Sequence, residues 1–130
     1  MSATIELPEI DQEIDVTAKL ATEVETQAQV IVHCHFLAQS AGDGYRIWPT
    51  TFLTCQHSGK KSKLIHAENV CYYPQWQFAQ KPGWYSFTLV FESLPTDCTL
   101  FDLAEEIPES GAFQALGIRR NKSDVYNVEF

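Results

Sequence analysis

Apolar and polar residues alternate along much of this chain with the two-residue period of a half-buried strand. The alternation is clear over residues 14–20, over 30–36, where Val30, Val32, Cys34 and Phe36 share one face, and over 87–91. Shorter apolar stretches at 51–56 and 99–105 have the same character. No long window shows the 3.6-residue period of an amphipathic helix, so the pattern predicts an all-β protein.

Turn signals separate these strands at intervals typical of an all-β domain. Ser58-Gly59-Lys60 predicts a hairpin into residues 63–66, and Pro82-Gly83 precedes the strand at 87–91. Residues 69–82 contain many rings without a clean period, which indicates a long aromatic loop with a short strand. A further strand is expected at 113–119, and residues 125–130 are either an eighth element or a tail. Short strands of this kind favour a sandwich or a barrel.

Composition agrees with a single folded domain that spans residues 1–130. Apolar residues make up 45% of the chain and charged residues 20%, as in ordinary globular proteins. The chain also has eight Phe, five Tyr and three Trp, and such large flat side chains suit the interior between packed sheets.

The net charge of −8 is concentrated near the N-terminus, where residues 1–26 hold seven acids and one lysine. We expect residues 1–12 to be a flexible acidic N-terminus. A negative chain repels phosphate, so neither nucleic acid nor an anionic membrane is an expected partner. No basic and apolar leader is visible, which favours a cytoplasmic location, although a chain whose signal had been removed would look the same.

Residues 84–118 carry motifs that resemble a poorly characterised domain of bacterial proteins. These motifs are Phe87-Thr88-Leu89-Val90-Phe91, Leu94-Pro95, Phe101-Asp102-Leu103 with Glu105, and Gly117-Ile118. The resemblance extends over roughly residues 27–120. It implies an immunoglobulin-like antiparallel β-sandwich, which we expect to have seven to eight strands. The shared motifs are strand cores and a Leu-Pro turn, so the resemblance implies a fold and no catalytic residues.

The sharpest candidate for chemistry is a zinc site formed by His33, His35, Cys55 and His57. Residues two apart on a strand point to the same face, so each pair projects together. If the two strands align these faces, four nitrogen and sulfur ligands converge in a set that suits tetrahedral zinc. The competing interpretation is that the histidines point outward, with Cys34 buried behind them.

The spacing of three residues resembles the disulfide-and-tryptophan pin of antibody domains: Cys34, Trp48 and Cys98. Cys98 falls at a turn, however, and Thr96 stands where the pin would need a tyrosine. We therefore expect free thiols, with Trp48 in the core.

Eight rings lie between residues 72 and 91. Phe87 and Phe91 belong to a strand core, whereas Tyr72, Tyr73, Trp76 and Trp84 lie in or near the irregular segment and are the candidate ligand-binding or partner-binding residues. Exposed rings beside polar groups suit a sugar or a peptide. Core packing is the alternative for these rings too.

Catalytic motifs are not evident. The chain has no Gly-x-Ser-x-Gly elbow and no glycine-rich phosphate loop, and a solvated strand end explains Asp102, Glu105 and Glu106. The sequence thus predicts a non-enzymatic β-sandwich module, without a cofactor, that binds an unknown protein or small molecule. A small zinc-binding domain is the alternative hypothesis. Because sheet edges pair readily, self-association into a homo-oligomer is a third expectation.

Overall fold

A computed structural model describes residues 28–108 and 112–130, and every regular element in these ranges is a strand. The strands are β1 (Val30–Ala38), β2 (Gly44–Tyr45), β3 (Thr51–Cys55), β4 (Lys61–Glu68), β5 (Gln77–Phe78), β6 (Gly83–Phe91), β7 (Leu100–Glu105), β8 (Gln114–Arg119) and β9 (Val125–Glu129). The all-β prediction is confirmed. The predicted strand at 14–20 and the acidic segment 1–12 lie outside the described residues.

Seven strands form one large, nearly closed sheet in the order β8-β7-β3-β4-β6-β1-β9, and β2 pairs with β5 in a small second sheet. All neighbours in the large sheet are antiparallel except β1 and β9, which run parallel. This parallel pair departs from the expected wholly antiparallel arrangement. Ile31 pairs with Val125 and His35 with Glu129, so the last strand covers the free side of the first.

β4 joins the two halves of the large sheet. Its first residues, Lys61 to Lys63, pair with β3, whereas Leu64 to Glu68 pair with β6. The register shifts between Leu64 and His66, at the change of partner. A bulge of this kind bends a strand and increases its twist. Because β4 bends here, it pairs with both halves of the large sheet, and the inner faces of these halves pack around one core.

The core follows the predicted alternation. Val30, Val32 and Cys34 are fully buried on β1, and Leu89 and Phe91 lie beside them on β6. The other half contributes buried apolar side chains from β3 and β7, which include Leu53, Phe101 and Leu103. Phe101 and Tyr126 meet edge to face with ring centroids 5.0 Å apart. Because these rings come from β7 and β9, near opposite ends of the strand order, the sheet curls back on itself.

A disulfide joins Cys55, at the end of β3, to Cys98 in the connection between β6 and β7. The expectation of free thiols is therefore wrong for Cys98, while Cys34 and Cys71 are free. Cys34 lies on β1 with its side chain buried in the core. Cys55 lies at the end of β3, beside the turn that carries Cys98. The spacing of Cys34, Trp48 and Cys98, which resembles the disulfide-and-tryptophan pin of antibody domains, does not indicate that Cys98 pairs with Cys55.

Candidate functional site

A cavity of about 380 Å³ opens at one end of the curled sheet, and we call it the aromatic pocket. Strands β1, β7 and β9 finish at this end, and β6 and β8 start there, as their pairing requires. The pocket is lined by Phe36, Gly44, Tyr45, Arg46, Trp48, Trp76, Phe87, Glu105, Ile107, Phe113 and Phe130. The cavity therefore combines an aromatic interior with one guanidinium and one carboxylate.

The floor of the aromatic pocket is a cluster of packed rings. Tyr45 stacks on Phe87 with centroids 6.1 Å apart, and Phe36 lies 4.6 Å from Tyr45. Phe87 and Phe36 project from β6 and β1 on the inner face, so the floor continues the hydrophobic core. Burial raises the pKa of the Tyr45 hydroxyl, which keeps this ring uncharged across the neutral range.

One wall is a column of stacked planar groups. Trp48 stacks on Tyr73 with ring centroids 3.8 Å apart. The Arg46 guanidinium lies 4.6 Å from the centroid of Tyr73 and 3.8 Å from that of Trp76. Trp76 in turn stacks with Phe78 at 6.4 Å. Cation–π and ring contacts of this kind fix the plane of the guanidinium and tie the loop between β4 and β6 to the pocket.

Glu105 supplies the carboxylate at the end of β7. Its Oε2 accepts a hydrogen bond from the backbone N–H of Trp48 at 3.2 Å, and Oε1 accepts one from that of Phe113 at 3.3 Å. Burial raises the pKa of Glu105, which the two N–H donors and Arg46 partly offset. The expectation of a solvated carboxylate is wrong at this position: Glu105 is half-buried, while the neighbouring Glu106 is exposed and pairs with Lys61.

Arg46 and Glu105 share the pocket without forming an ion pair with each other. Among the described residues, no opposite charge lies within 4.0 Å of either group. The Nη1 of Arg46 donates instead to the backbone carbonyl of Pro74 at 3.2 Å. Both charges are therefore positioned by neutral groups and face a cavity.

The structure places two of the four candidate aromatic residues at this pocket. Trp76 lines it, and Tyr73 lies behind Arg46 in the column. Tyr72 bridges to Ile47 outside the lining, and Trp84 lies on the outer face of β6, opposite Leu37, with 60% of its surface exposed. Trp48, expected in the core, is a half-buried wall of the pocket.

The predicted histidine and cysteine ligands lie in two separate places. His33 and His35 are on the outer face of β1, where His33 Nδ1 is 2.9 Å from Thr88 Oγ1. His35 Nδ1 is 2.6 Å from Ser86 Oγ, and its Nε2 is 3.0 Å from Asn127 Oδ1. Both histidines are thus engaged by polar side chains of the neighbouring strands.

Cys55 and His57 belong to the other half of the large sheet. Cys55 Sγ lies 3.5 Å from His57 Nδ1, but the sulfur is bonded to Cys98 and the residue is buried. His57 Nε2 is 3.6 Å from the Asp97 carboxylate at the surface. Register explains the separation, because inward Val32 and Cys34 force His33 and His35 outward. Across residues 28–108 and 112–130, no three His, Cys, Asp or Glu side chains group in a way that could hold a metal ion.

Most residues of the lining could not be predicted from the sequence. Tyr45, Arg46, Glu105, Phe113 and Phe130 lie on four different strands or their ends, and only tertiary structure brings them together. Arg46 had one detectable signal: it is a cation that follows Tyr45 directly and lies two positions before Trp48.

No protein-family model matches the chain, and no curated protein or solved structure matches it. In the part of the chain that the structure describes, there is no helix long and apolar enough to cross a membrane.

Proposed function

We propose that this protein is a non-enzymatic binding module and that the aromatic pocket is its small-molecule site. The observation that carries the proposal is a cavity of about 380 Å³ that combines five phenylalanine and tyrosine rings with the inward-facing groups Arg46 and Glu105. Small-molecule sites are typically concave and apolar, span roughly 300 to 1,000 Å³, and place a few polar groups to orient the ligand.

The chemistry of the lining supports binding over catalysis. The described residues that line the pocket include no Ser, Cys, Thr, Lys or His that could act as a nucleophile. The ionisable groups there are Tyr45, Arg46 and Glu105, and Glu105 already accepts two backbone hydrogen bonds. These two hydrogen bonds fix the direction in which the Glu105 carboxylate meets a ligand.

A screen of small fragments by protein-observed NMR tests the proposal. We expect fragments with a flat apolar body to shift the amide signals of β1, β6 and β7 at the pocket end. Trp76→Ala should weaken these shifts several-fold. Trp84→Ala is the matched control, because Trp84 is an exposed tryptophan outside the pocket. No pocket-specific shift from any fragment, or an equal loss in both variants, would remove the proposal.

For the finer architecture we propose an immunoglobulin-like sandwich, related to the bacterial domain that residues 84–118 resemble. It is supported by the sharing of β4 between two sets of strands whose inner side chains form one core. In a closed barrel β8 and β9 would pair, and the outer amides of β8 would be protected from hydrogen exchange. Rapid exchange at that edge is the outcome expected of a sandwich.

We propose that the protein works in an oxidising compartment, because a bridge between two buried cysteines is typical of such places. This departs from the expected cytoplasmic location. Thiol labelling of the protein taken directly from cells tests it. Labelling of Cys71 alone in the folded chain, and of Cys34 in addition after unfolding, is expected; labelling of Cys55 and Cys98 without a reductant would contradict the proposal. The charge of −8 continues to disfavour nucleic acid and anionic membranes as partners.

A further inference from the structure

Two opposite charges face the aromatic pocket without forming a direct ion pair. Arg46 and Glu105 both line the cavity, and within the described residues neither lies within 4.0 Å of a countercharge. Half-buried charges left unpaired raise the free energy of the folded protein, and a ligand with complementary charges would relieve this cost.

The Arg46 guanidinium is prepared to receive an anion. It lies 4.6 Å from the ring centroid of Tyr73 and 3.8 Å from that of Trp76, and these aromatic contacts hold it at the pocket. Its one hydrogen bond within the described residues, from Nη1 to Pro74, leaves other donors free. A planar guanidinium with a free edge matches the two oxygens of a carboxylate.

The Glu105 carboxylate is prepared to receive a cation. The N–H groups of Trp48 and Phe113 each bond one of its oxygens and hold it in place. A carboxylate has about four acceptor positions, so at least one on each oxygen is still free. Burial disfavours its charged form, and a nearby ammonium would compensate for that burial.

The same cavity has an apolar interior lined by Phe36, Phe87, Ile107, Phe113 and Phe130. We propose that the aromatic pocket binds a free α-amino acid with a large apolar side chain, its carboxylate on Arg46 and its ammonium on Glu105. This inference rests on the proposed function of the same pocket. A neutral sugar would leave both Arg46 and Glu105 without an ionic partner. A simple amine or a simple acid would give an ionic partner to only one of these two residues.

Calorimetric titration of the wild-type protein with four probes tests the inference without any mutation. L-Phenylalanine is expected to bind. N-Acetyl-L-phenylalanine, which lacks the ammonium, and L-phenylalaninamide, which lacks the carboxylate, should each bind at least about tenfold more weakly, because each loses one charge-assisted contact. Methyl β-D-glucoside should show no binding. Blocked forms that bind as tightly as L-phenylalanine would overturn the inference.

Two variants assign the contacts. Arg46→Gln should bind L-phenylalanine and its amide with similar affinity, and Glu105→Gln should no longer distinguish L-phenylalanine from its N-acetyl form. Arg119→Gln and Glu129→Gln, which change exposed charges outside the pocket, should keep both preferences. If fragments bind at the pocket while L-phenylalanine does not, the inference is wrong and the proposed function stands; if no probe binds there, both fail.

Discussion

The Tyr126 side chain shows how a single residue on β9 connects the core to a polar network. Its ring is buried against Phe101, and its hydroxyl donates to Asp124 Oδ1 at 2.8 Å and accepts from the N–H of Asn121 at 3.0 Å. Burial, with the neighbouring Asp124 charge, raises the pKa of Tyr126 to about 12. The neutral phenol is therefore the form that the fold requires.

This shift predicts a loss of stability at alkaline pH. The pKa of Tyr126 is higher in the folded chain, about 12, than its ordinary value of 10.0, so the folded state retains the proton that the unfolded state releases. Its contribution is present below pH 10 and is lost as pH rises towards 12. Denaturant unfolding at a series of pH values should show this decline.

Tyr126→Phe should reduce the alkaline decline in the free energy of unfolding, because a phenyl ring has no proton to release. Tyr72→Phe, at an exposed ring, is the control and should leave the decline unchanged. An equal alkaline decline in wild type and Tyr126→Phe would contradict the assignment.

Gly44 lies against the column of stacked groups. A Cβ at this position would lie 2.9 Å from Trp76 Cε3 and 3.2 Å from Phe78 Cε1. Since Trp76 is held by Arg46, Gly44→Ala should displace the indole and alter the near-ultraviolet circular dichroism and tryptophan emission.

Gly59→Ala provides the contrast for this test. Gly59 has a φ of +74° in the turn between β3 and β4, with open space around it. Its substitution should lower stability through backbone strain yet leave the aromatic signals of the folded protein unchanged. Unaltered spectra in Gly44→Ala would show that Trp76 is not confined by this glycine.

At the scale of strands and their connections, two devices fix the segment between β6 and β7. The disulfide ties Cys98 to β3. Arg120, after β8, pairs with Asp124 at 2.6 Å and donates through Nη1 to the carbonyls of Pro95 and Cys98 at 2.8 and 3.0 Å. A covalent bond and a largely buried ion pair thus hold the same turn.

Removal of the disulfide should destabilise the protein substantially. The bridge closes a loop of 43 residues, and the loss of chain entropy in the unfolded state corresponds to about 4 kcal/mol. We expect Cys55→Ser with Cys98→Ser to lower the free energy of unfolding by roughly this amount in denaturant titrations. Cys71→Ser, at a free thiol, should change it little. An equal effect of a reductant on wild type and on the double variant would show that the bridge does not form.

At the scale of the whole molecule, the large sheet ends in two strands that have a neighbour on one side only, β8 and β9. Edge strands of this kind pair with other chains unless they are blocked. β8 carries Leu116, a leucine that is 63% exposed. We propose that copies of this protein associate through β8.

Leu116→Lys should prevent this association, because a charge on an edge strand opposes strand pairing. Sedimentation or light scattering at several concentrations should show dimers in wild type and monomers in the variant. Leu37→Lys is the matched control: Leu37 is an exposed leucine on β1, which has neighbours on both sides. A wild-type protein that is monomeric throughout would exclude association by this route.

The strand content and the inward face of most strands were predictable from the order of apolar and polar residues. The alternation over Val30 to Cys34 and over Phe87 to Phe91 predicted side chains that are buried in the structure, because period two assigns every second residue to the same face. The aromatic loop with its short strand was also predictable. Trp76, a candidate binding residue from the sequence, lines the aromatic pocket, and its binding of a ligand is a prediction that the proposed experiments test.

Which strands lie side by side became visible only in the folded protein. This arrangement of strands determines which residues meet at the candidate site. Local pattern places His33 and His35 on one face of a strand, but it cannot show that Cys55 lies in the other half of the sheet. Nor can it show that Arg46 and Glu105, 59 positions apart in the chain, meet at one cavity. Alternation reports the environment of each strand, whereas a pocket or a disulfide depends on contacts between strands distant in sequence.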